Sequence, residues 1–210
     1  MEQQEKIKTG TTTVGMLCKD CVILASDSKT TLGYMTYSKT TDKIVQIDDK
    51  IAVTTAGSSG DIQAVIRMLR AEIKLYKLMR NAEITVNAVS TLLANILQGS
   101  RYYPYISVFL VGGADKKGFH LISNDVVGAL EEKDNYVATG SGSPFVYGVM
   151  ENEYREGLTR EEGIDLAIRA VRAAIERDVF SGGTRLKVAV IDQKGVEFLS
   201  DAKIAEIAKR

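Results

Sequence analysis

The hydrophobic period of the sequence switches repeatedly between strand and helix spacing, and the order of these segments limits the fold more than any other feature. Strand-like runs come first, followed by two helical segments, more strands, two further helical segments and a last group of strands. Because the helices come in pairs and do not alternate with single strands, this order argues against a doubly wound parallel sheet. It predicts an α+β fold of four layers, αββα, in which two packed antiparallel sheets lie between two helix pairs.

Periodicity and turn residues set the expected limits of each element, and no internal linker divides residues 11–210, which we expect to form one domain. The last helix has the clearest start, because Thr159 and Glu162 form the S/T-x-x-E pattern of a capping box. After the last strand we expect a short charged tail. The expected strands are 12–17, 22–25, 43–47, 51–55, 106–111, 118–122, 126–130, 136–139, 186–191 and 196–199, and the expected helices are 61–79, 85–98, 144–155 and 160–177.

Charge and composition exclude several classes of partner. Twenty-seven basic residues balance 27 acidic ones, so no overall field attracts nucleic acid or an anionic membrane surface. No segment approaches the roughly 20 apolar residues that a membrane-spanning helix needs. The first ten residues are polar and charged and lack the apolar centre of a secretory signal, so we expect a cytoplasmic protein.

Cys18 and Cys21 form a C-x-x-C motif around Lys19 and Asp20. With His120 as the only histidine, the motif cannot be completed to the four ligands of a structural zinc site, and we expect no metal. A redox dithiol is one interpretation of the pair. We favour another, in which Lys19 and Asp20 form a two-residue hairpin turn and the cysteines flank it as small hydrophobic residues.

Several familiar catalytic motifs are absent, which restricts the chemistry that the chain could perform. There is no P-loop, no H-E-x-x-H zinc motif, no dinucleotide-binding glycine motif and no G-x-S-x-G nucleophile elbow, and we expect no cofactor. His120 lies within an apolar strand segment, where a structural role suits it better than a catalytic one. If the chain is a hydrolase, we therefore expect its base to be a group other than histidine.

A free α-amine at a chain terminus can act as the base in place of histidine. Its reference pKa of about 7.7–8.0 lies near working pH, so it can accept a proton and return it. A terminal threonine carries this amine and a hydroxyl nucleophile in one residue, and its branched side chain restricts χ1. The run Thr11, Thr12 and Thr13 after Gly10 could supply such a residue, although threonines are also ordinary strand residues.

Six short stretches in order along the chain bear on this choice. They are GTTTVG at residues 10–15, Asp27 with Lys29 and Thr31, Asp42-Lys43-Ile44, residues 56–61 from Ala56-Gly57 to Asp61, residues 140–145, and residues 177–183. Together they resemble the archaeal-type β subunits of the proteasome, and the resemblance covers residues 10–210. It implies the four-layer fold of the N-terminal-nucleophile hydrolases and a threonine endopeptidase that acts without a cofactor.

The resemblance implies a role for each matched residue at the reaction centre. Thr11, once exposed, is the nucleophile that attacks the scissile carbonyl carbon through its hydroxyl. Lys43 lowers the pKa values of the Thr11 hydroxyl and amine, and Asp27 holds the Lys43 ammonium group in place. The backbone N–H of Gly57 stabilises the oxyanion. An ordinary ion pair between Asp27 and Lys43 is the alternative interpretation.

Two further groups of residues follow from the same resemblance. The first supports the Thr11 amine and the proton shuttle and consists of Ser141, Asp178 and Ser181. The second borders the substrate pocket and consists of Thr30, Thr31, Thr55 and Ser59. The Gly-Ser stretches could also be simple turns, and Asp178 a loop cap. In one departure, Ser28-Lys29 stands where the family commonly has an arginine after the aspartate, and lysine cannot make a planar two-pronged contact.

Residues 1–10 are expected to form a propeptide that is removed between Gly10 and Thr11. While Gly10 is joined to Thr11, the Thr11 nitrogen is an amide and cannot act as a base. The sequence is therefore expected to be that of an inactive precursor that cleaves itself. The resemblance implies that it assembles with proteasome α subunits and other β subunits in stacked rings of seven, and receives polypeptide substrates from a regulatory ATPase through the α ring.

Two alternatives from other functional classes remain. A β-like subunit that keeps its propeptide and only builds the ring would share the fold but would not need Thr11, Asp27, Lys43 and Ser141 together. An amide hydrolase with an N-terminal nucleophile that acts on small molecules would need no α-subunit partner. The set of matched stretches favours the peptidase over both.

Overall fold

The computed structural model describes residues 10–209, so residues 1–9 of the expected propeptide lie outside the described part of the chain. The strands are β1 (Thr12–Leu17), β2 (Val22–Ser26), β3 (Thr30–Leu32), β4 (Met35–Ser38), β5 (Ile44–Asp48), β6 (Ile51–Gly57), β7 (Ser107–Asp115), β8 (Gly118–Asn124), β9 (Leu130–Lys133), β10 (Tyr136–Gly140), β11 (Lys187–Asp192) and β12 (Gly195–Phe198). The helices are α1 (Ser59–Arg80), α2 (Val86–Gly99), α3 (Ser143–Glu153), α4 (Arg160–Arg177) and α5 (Asp201–Ile207).

Ten of these strands form two five-stranded sheets. The first sheet has the order β10-β1-β2-β11-β12 and the second the order β5-β6-β7-β8-β9. All neighbours within them pair antiparallel. Within residues 10–209, the remaining strands, β3 and β4, pair only with each other and form a separate hairpin.

Three hydrophobic clusters separate four layers and confirm the expected αββα arrangement. One lies between the first sheet and helices α3 and α4, a second between the second sheet and helices α1 and α2, and a third between the two sheets. Strand β2 is buried on both faces, because Ile23 and Ala25 face the helices while Val22 and Leu24 face the other sheet. A strand that is buried on both faces needs apolar residues at every position.

Helix α1 is fixed at its start to the beginning of β7. The Asp61 carboxylate accepts a hydrogen bond from the backbone N–H of Ile106 at 2.9 Å, and the Ser58 N–H donates to the Ile106 carbonyl at 2.7 Å. Helix α4 begins at the capping box of Thr159 and Glu162 that the sequence predicts. None of the helices within residues 10–209 combines the length and apolar character that spanning a bilayer requires.

One expected strand is wrong, and two elements are missing from the prediction. The strand predicted at 126–130 is largely a turn, in which the Asp125 carboxylate accepts hydrogen bonds from the N–H groups of Val127 and Ala129, and β9 starts only at Leu130. The charged tail contains helix α5, which is capped by the Ser200 side chain. The hairpin of β3 and β4 was not predicted.

The hairpin of β1 and β2 turns at Lys19 and Asp20, as the sequence predicts. The Cys18 N–H donates to the Cys21 carbonyl at 2.8 Å, and both cysteines are buried and free. The Cys18 sulfur lies against Gly163 of α4, since a Cβ atom at Gly163 would come within 2.4 Å of it. This packing agrees with the interpretation of the cysteines as small hydrophobic residues.

Candidate active site

Thr11 lies immediately before β1, at the end of the strand where Gly140 of β10 pairs with Thr12. It is buried, with 5% of its surface exposed. Its hydroxyl donates to the carbonyl oxygen of Gly10 at 2.6 Å, and its N–H points to the Ser141 hydroxyl at 3.4 Å. The hydroxyl of Thr11 therefore lies beside the peptide bond that joins Thr11 to Gly10.

A second donor reaches the same carbonyl oxygen. Lys43, directly before β5, places its Nζ 3.2 Å from the Gly10 oxygen and 2.6 Å from Oδ1 of Asp27. Burial lowers the pKa of Lys43, and the neighbouring Asp27 carboxylate opposes that shift. An ammonium group that binds a carbonyl oxygen withdraws electrons from the carbonyl carbon and favours attack on it.

Asp27 is completely buried just after β2, and its two oxygens have four hydrogen-bond donors. Oδ1 accepts from Lys43 Nζ and from the Thr12 N–H at 3.0 Å. Oδ2 accepts from the N–H groups of Lys29 at 3.2 Å and Gly182 at 2.9 Å. A buried carboxylate is costly unless it is paired in this way, so Asp27 is held firmly as the partner of Lys43.

Ser141, Asp178 and Ser181 form a hydrogen-bonded group near the Thr11 nitrogen. The Asp178 carboxylate, at the C-terminal cap of α4, accepts from Ser141 Oγ at 2.6 Å and from Ser181 Oγ at 2.5 Å. Ser181 Oγ also lies 2.5 Å from the Thr12 hydroxyl. Since Ser141 faces the Thr11 nitrogen, the group links that nitrogen to a carboxylate through a single hydroxyl.

A cavity of about 410 Å³ opens beside Thr11 and Lys43. Gly57, the last residue of β6, lies on its wall with a φ of +131°, and a Cβ atom there would come 2.0 Å from the Ile106 carbonyl oxygen. Only glycine fits this position without strain. The lining consists of Gly10, Thr11, Thr30, Thr41, Asp42, Lys43, Val45, Thr55, Gly57, Ser59, Ile62, Gln63, Ile66, Arg67 and Arg70.

The four residues predicted to border a substrate pocket lie at this site, but in two different ways. Thr30, Thr55 and Ser59 line the cavity. Thr31 is not part of that lining, and its hydroxyl accepts a hydrogen bond from the Gly10 N–H at 3.0 Å. Thr31 therefore contacts the residue that precedes Thr11, while the other three surround the open space next to it.

Sequence reasoning missed the contribution of α1 to the cavity. Gln63, Arg67 and Arg70 follow the i, i+4, i+7 spacing of one helix face and line the cavity together. The helical periodicity of α1 identifies its apolar face and carries no signal for the polar face beside it. Thr12 and Gly182, whose N–H groups hold Asp27, were missed because backbone donors carry no residue-type signal.

The structure also shows the surroundings of Lys29 and of His120. Lys29, at the position where the family commonly has an arginine, donates a hydrogen bond from its Nζ to the Val179 carbonyl at 2.7 Å. His120 lies outside the cavity lining and pairs with Asp115 at 3.1 Å and Glu132 at 2.6 Å. Within residues 10–209, no group of three or more His, Cys, Asp or Glu side chains is placed to hold a metal ion.

Comparison with known proteins places this arrangement among relatives of similar length. A family model described as "Proteasome subunit" matches residues 7–191. The proteasome subunit beta of Methanosarcina barkeri is 44% identical over 203 residues, which cover 97% of this chain and 96% of that protein. The proteasome subunit beta 2 of Pyrococcus furiosus is 46% identical over 206 residues, which cover 98% of each. The proteasome subunit beta of Methanocaldococcus fervens is 45% identical over 202 residues, which cover 96% of this chain and 90% of that protein.

Proposed function

Because the chain belongs to the proteasome subunit family, we propose that it is a catalytic β subunit, a threonine endopeptidase whose nucleophile is Thr11. One observation carries this proposal. The Thr11 hydroxyl and the Lys43 ammonium group converge on the carbonyl oxygen of Gly10, at 2.6 and 3.2 Å. These are the groups that a self-cleavage between Gly10 and Thr11 requires.

The proposed first reaction is the removal of residues 1–10 by the chain itself. The Thr11 hydroxyl turns from the Gly10 carbonyl oxygen towards the carbonyl carbon, and a bond forms between Oγ and that carbon. The peptide C–N bond then breaks, and the hydroxyl proton passes to the departing Thr11 nitrogen. Water hydrolyses the resulting ester, which leaves a Gly10 carboxylate and restores the Thr11 hydroxyl beside a free amine.

The free amine is the base of the proposed peptidase. It takes the proton of the Thr11 hydroxyl as Oγ attacks a substrate carbonyl, and returns it to the departing amine of the product. The positive charge of Lys43 lowers the pKa values of the hydroxyl and the amine, while Asp27 fixes Lys43 from 2.6 Å. The N–H of Gly57 is proposed to bind the oxyanion, at a wall position where no side chain obstructs the substrate.

Ser141, Asp178 and Ser181 are proposed to orient the new amine and pass its proton. The Ser141 hydroxyl lies 3.4 Å from the Thr11 nitrogen and donates to Asp178 at 2.6 Å, so it can accept a hydrogen bond from the amine. Because Asp178 also accepts from Ser181, both serine hydroxyls are held in one orientation. Thr30, Thr31, Thr55 and Ser59 are proposed to contact the substrate or the segment before Thr11.

Membership of the family implies assembly into a multi-subunit proteasome. We further propose that α subunits and other β subunits surround this chain in stacked seven-membered rings, and that a regulatory ATPase delivers unfolded polypeptides through the α ring. Enclosure of the site explains why the nucleophile should stay blocked until assembly. A cytoplasmic location is part of this proposal, as is the division into a propeptide, 1–10, and a catalytic domain, 11–210.

The proposal is tested by N-terminal sequencing and mass spectrometry of the chain before and after assembly with α subunits, followed by assays on fluorogenic peptides. The assembled chain is expected to begin at Thr11 and to hydrolyse peptides. Thr11→Ala should assemble, keep residues 1–10 and show no hydrolysis, whereas Thr11→Ser should keep the hydroxyl chemistry at a reduced rate. A wild-type chain that retains residues 1–10 in a fully assembled particle would instead be the non-catalytic ring subunit.

A further inference from the structure

The cavity beside Thr11 is unevenly charged along its length. It follows α1 from Ser59 to Arg70, a distance of about 16 Å at the helical rise of 1.5 Å per residue. Val45, Ile62 and Ile66 give it an apolar wall. Arg67 and Arg70, on successive turns of the same helix, line it further along.

The two arginines are not neutralised by carboxylates within residues 10–209. Arg67 makes no hydrogen bond or ion pair with any described residue, and Arg70 makes one, from Nη2 to the Gln46 carbonyl at 2.7 Å. Four or more N–H donors on each guanidinium group are therefore free to bind another acceptor. Both residues are exposed to solvent, and both line the cavity that a substrate would enter.

The other charged groups of the lining are compensated. Asp42 forms ion pairs with Arg185 at 3.0 Å and with Lys187 at 3.1 Å. Lys43 is paired with Asp27 at 2.6 Å. The unbalanced charge of the cavity is thus positive and comes from α1. A positive cleft attracts anionic groups, and a guanidinium group binds a carboxylate with two parallel hydrogen bonds.

We propose that Arg67 and Arg70 select substrates that carry an acidic side chain at one of the three residues preceding the scissile bond. Glutamate is preferred over aspartate at that position. The apolar wall at Val45, Ile62 and Ile66 suits the methylene groups of glutamate, while the arginines bind its carboxylate. The small side chains of Thr30 and Thr55 leave room for this approach from the side of Thr11. This inference rests on the proposed peptidase function and adds the substrate class to it.

The test uses the assembled, processed particle and matched peptides that differ only by glutamate or glutamine at each of those three positions. Glutamine has the shape of glutamate without its charge, so the ratio of the two kcat/KM values isolates the charge. In low salt we expect a ratio of about fivefold in favour of glutamate for at least one position, as for an exposed ion pair. In the wild-type particle this ratio should fall towards one as the salt concentration rises, because salt screens exposed charges.

Variants of α1 identify the groups responsible. Arg67→Gln with Arg70→Gln should bring the ratio close to one, and Arg67→Glu with Arg70→Glu should reverse the preference. Arg80→Gln is the matched control, because Arg80 ends the same helix but does not line the cavity. It should leave the wild-type ratio unchanged. Mass spectrometry of each particle confirms that residues 1–10 have been removed.

Separate outcomes would contradict the peptidase function and the selection of acidic side chains. If a processed particle hydrolyses no peptide of the panel, the proposed peptidase function is wrong. If it hydrolyses the peptides with a glutamate-to-glutamine ratio of one or less at all three positions, the selection of acidic side chains is wrong. It is equally wrong if the ratio is insensitive to salt in the wild type, a measurement that needs no variant to fold.

Discussion

At the scale of single residues, Gly10 lies in a position that leaves no room for a side chain. A Cβ atom on Gly10 would come 2.0 Å from the Cβ of Phe180 and 2.4 Å from its carbonyl oxygen. At the same time the Gly10 N–H and carbonyl are held by Thr31, Lys43 and the Thr11 hydroxyl. A side chain at Gly10 would have to displace the carbonyl that Thr11 is proposed to attack.

Gly10→Ala is therefore expected to slow removal of residues 1–10 by roughly 5- to 150-fold, the range that corresponds to an overpacking cost of about 1–3 kcal/mol. The rate is followed by mass spectrometry after mixing with α subunits. Gly60→Ala is the control, since a Cβ atom at Gly60, on the first turn of α1, meets no atom within 4 Å. Equal rates for the two variants would contradict the close packing of Gly10 against Phe180.

Lys43 gives a residue-scale prediction that depends on pH. Burial lowers its pKa in the folded chain below the ordinary value of 10.5, against the opposing effect of Asp27. Between the lowered pKa and 10.5 the unfolded chain binds more protons than the folded one, so this lysine makes the free energy of unfolding rise with pH in that window. Below the window both states hold the proton, and the contribution of Lys43 is constant.

The measurement compares the wild type with Lys43→Met by urea unfolding from neutral pH to pH 10.5. The difference in free energy of unfolding, wild type minus variant, should increase with pH as Lys43 loses its proton. Lys74→Met, a change at an exposed lysine of α1, should show no comparable increase. A difference that stays level or decreases towards alkaline pH would rule out the lowered pKa.

At the scale of secondary-structure elements, the sequence predicts best where a residue type has one strong structural preference. The start of α4 is predicted correctly because the capping box of Thr159 and Glu162 is a specific start signal. The strand predicted at 126–130 fails because the Asp125 side chain binds the backbone two and four residues ahead and ends the sheet locally. The hairpin of β3 and β4 is hard to predict, since its apolar residues are exposed and follow no burial pattern.

The candidate site likewise contains residues that the sequence predicts and residues that it does not. The residues at Thr11, Asp27 and Lys43 are predicted through the family resemblance, and the structure brings them within hydrogen-bond distance through Gly10. The arginines of α1 were not predicted, because helical periodicity identifies the apolar face and says nothing about where the polar face points. That information comes only from the way α1 is fixed to β7 at Asp61.

Two helical glycines provide a prediction for the packing of elements. A Cβ atom at Gly163 in α4 would come 2.4 Å from the Cys18 sulfur and 2.7 Å from Cδ1 of Ile23, whereas one at Gly148 in α3 meets no atom within 4 Å. Gly163→Ala should reduce the free energy of unfolding by about 1–3 kcal/mol, because α4 must move away from the first sheet. Gly148→Ala should increase it by roughly 0.5–1 kcal/mol through helix propensity. Chemical denaturation of both variants tests the pair, and a stabilised Gly163→Ala would show that α4 is not closely packed there.

At the scale of the whole molecule, the candidate site joins the two sheets. Thr11 and Asp27 belong to the ends of strands in the first sheet, while Lys43 and Gly57 belong to the second. The cluster between the sheets therefore sets the distances from Lys43 to Asp27 and to the Gly10 carbonyl. The two outer clusters, under the helices, stabilise the fold without lying between these two halves of the site.

This difference can be tested with two leucine-to-alanine changes of the same chemistry. Leu24, fully buried between the sheets, lies where Cβ atoms at Gly15 and Gly112 would each come within 3.1 Å of its side chain. Leu97 is equally buried, but between α2 and the second sheet. Each change should reduce the free energy of unfolding by about 2–5 kcal/mol through the cavity that it leaves.

Their effects on the proposed self-cleavage should differ even where their effects on stability agree. With Leu24→Ala the sheets can shift relative to each other, and a displacement of about 1 Å at a reaction centre can cost on the order of 100-fold in rate. We expect Leu24→Ala to remove residues 1–10 at least about tenfold more slowly than Leu97→Ala. Both rates are measured by mass spectrometry at a temperature where circular dichroism shows each variant to be folded. If the two variants cleave at the same rate, the spacing of the sheets does not control the site, and the position of Lys43 must be fixed by its own loop.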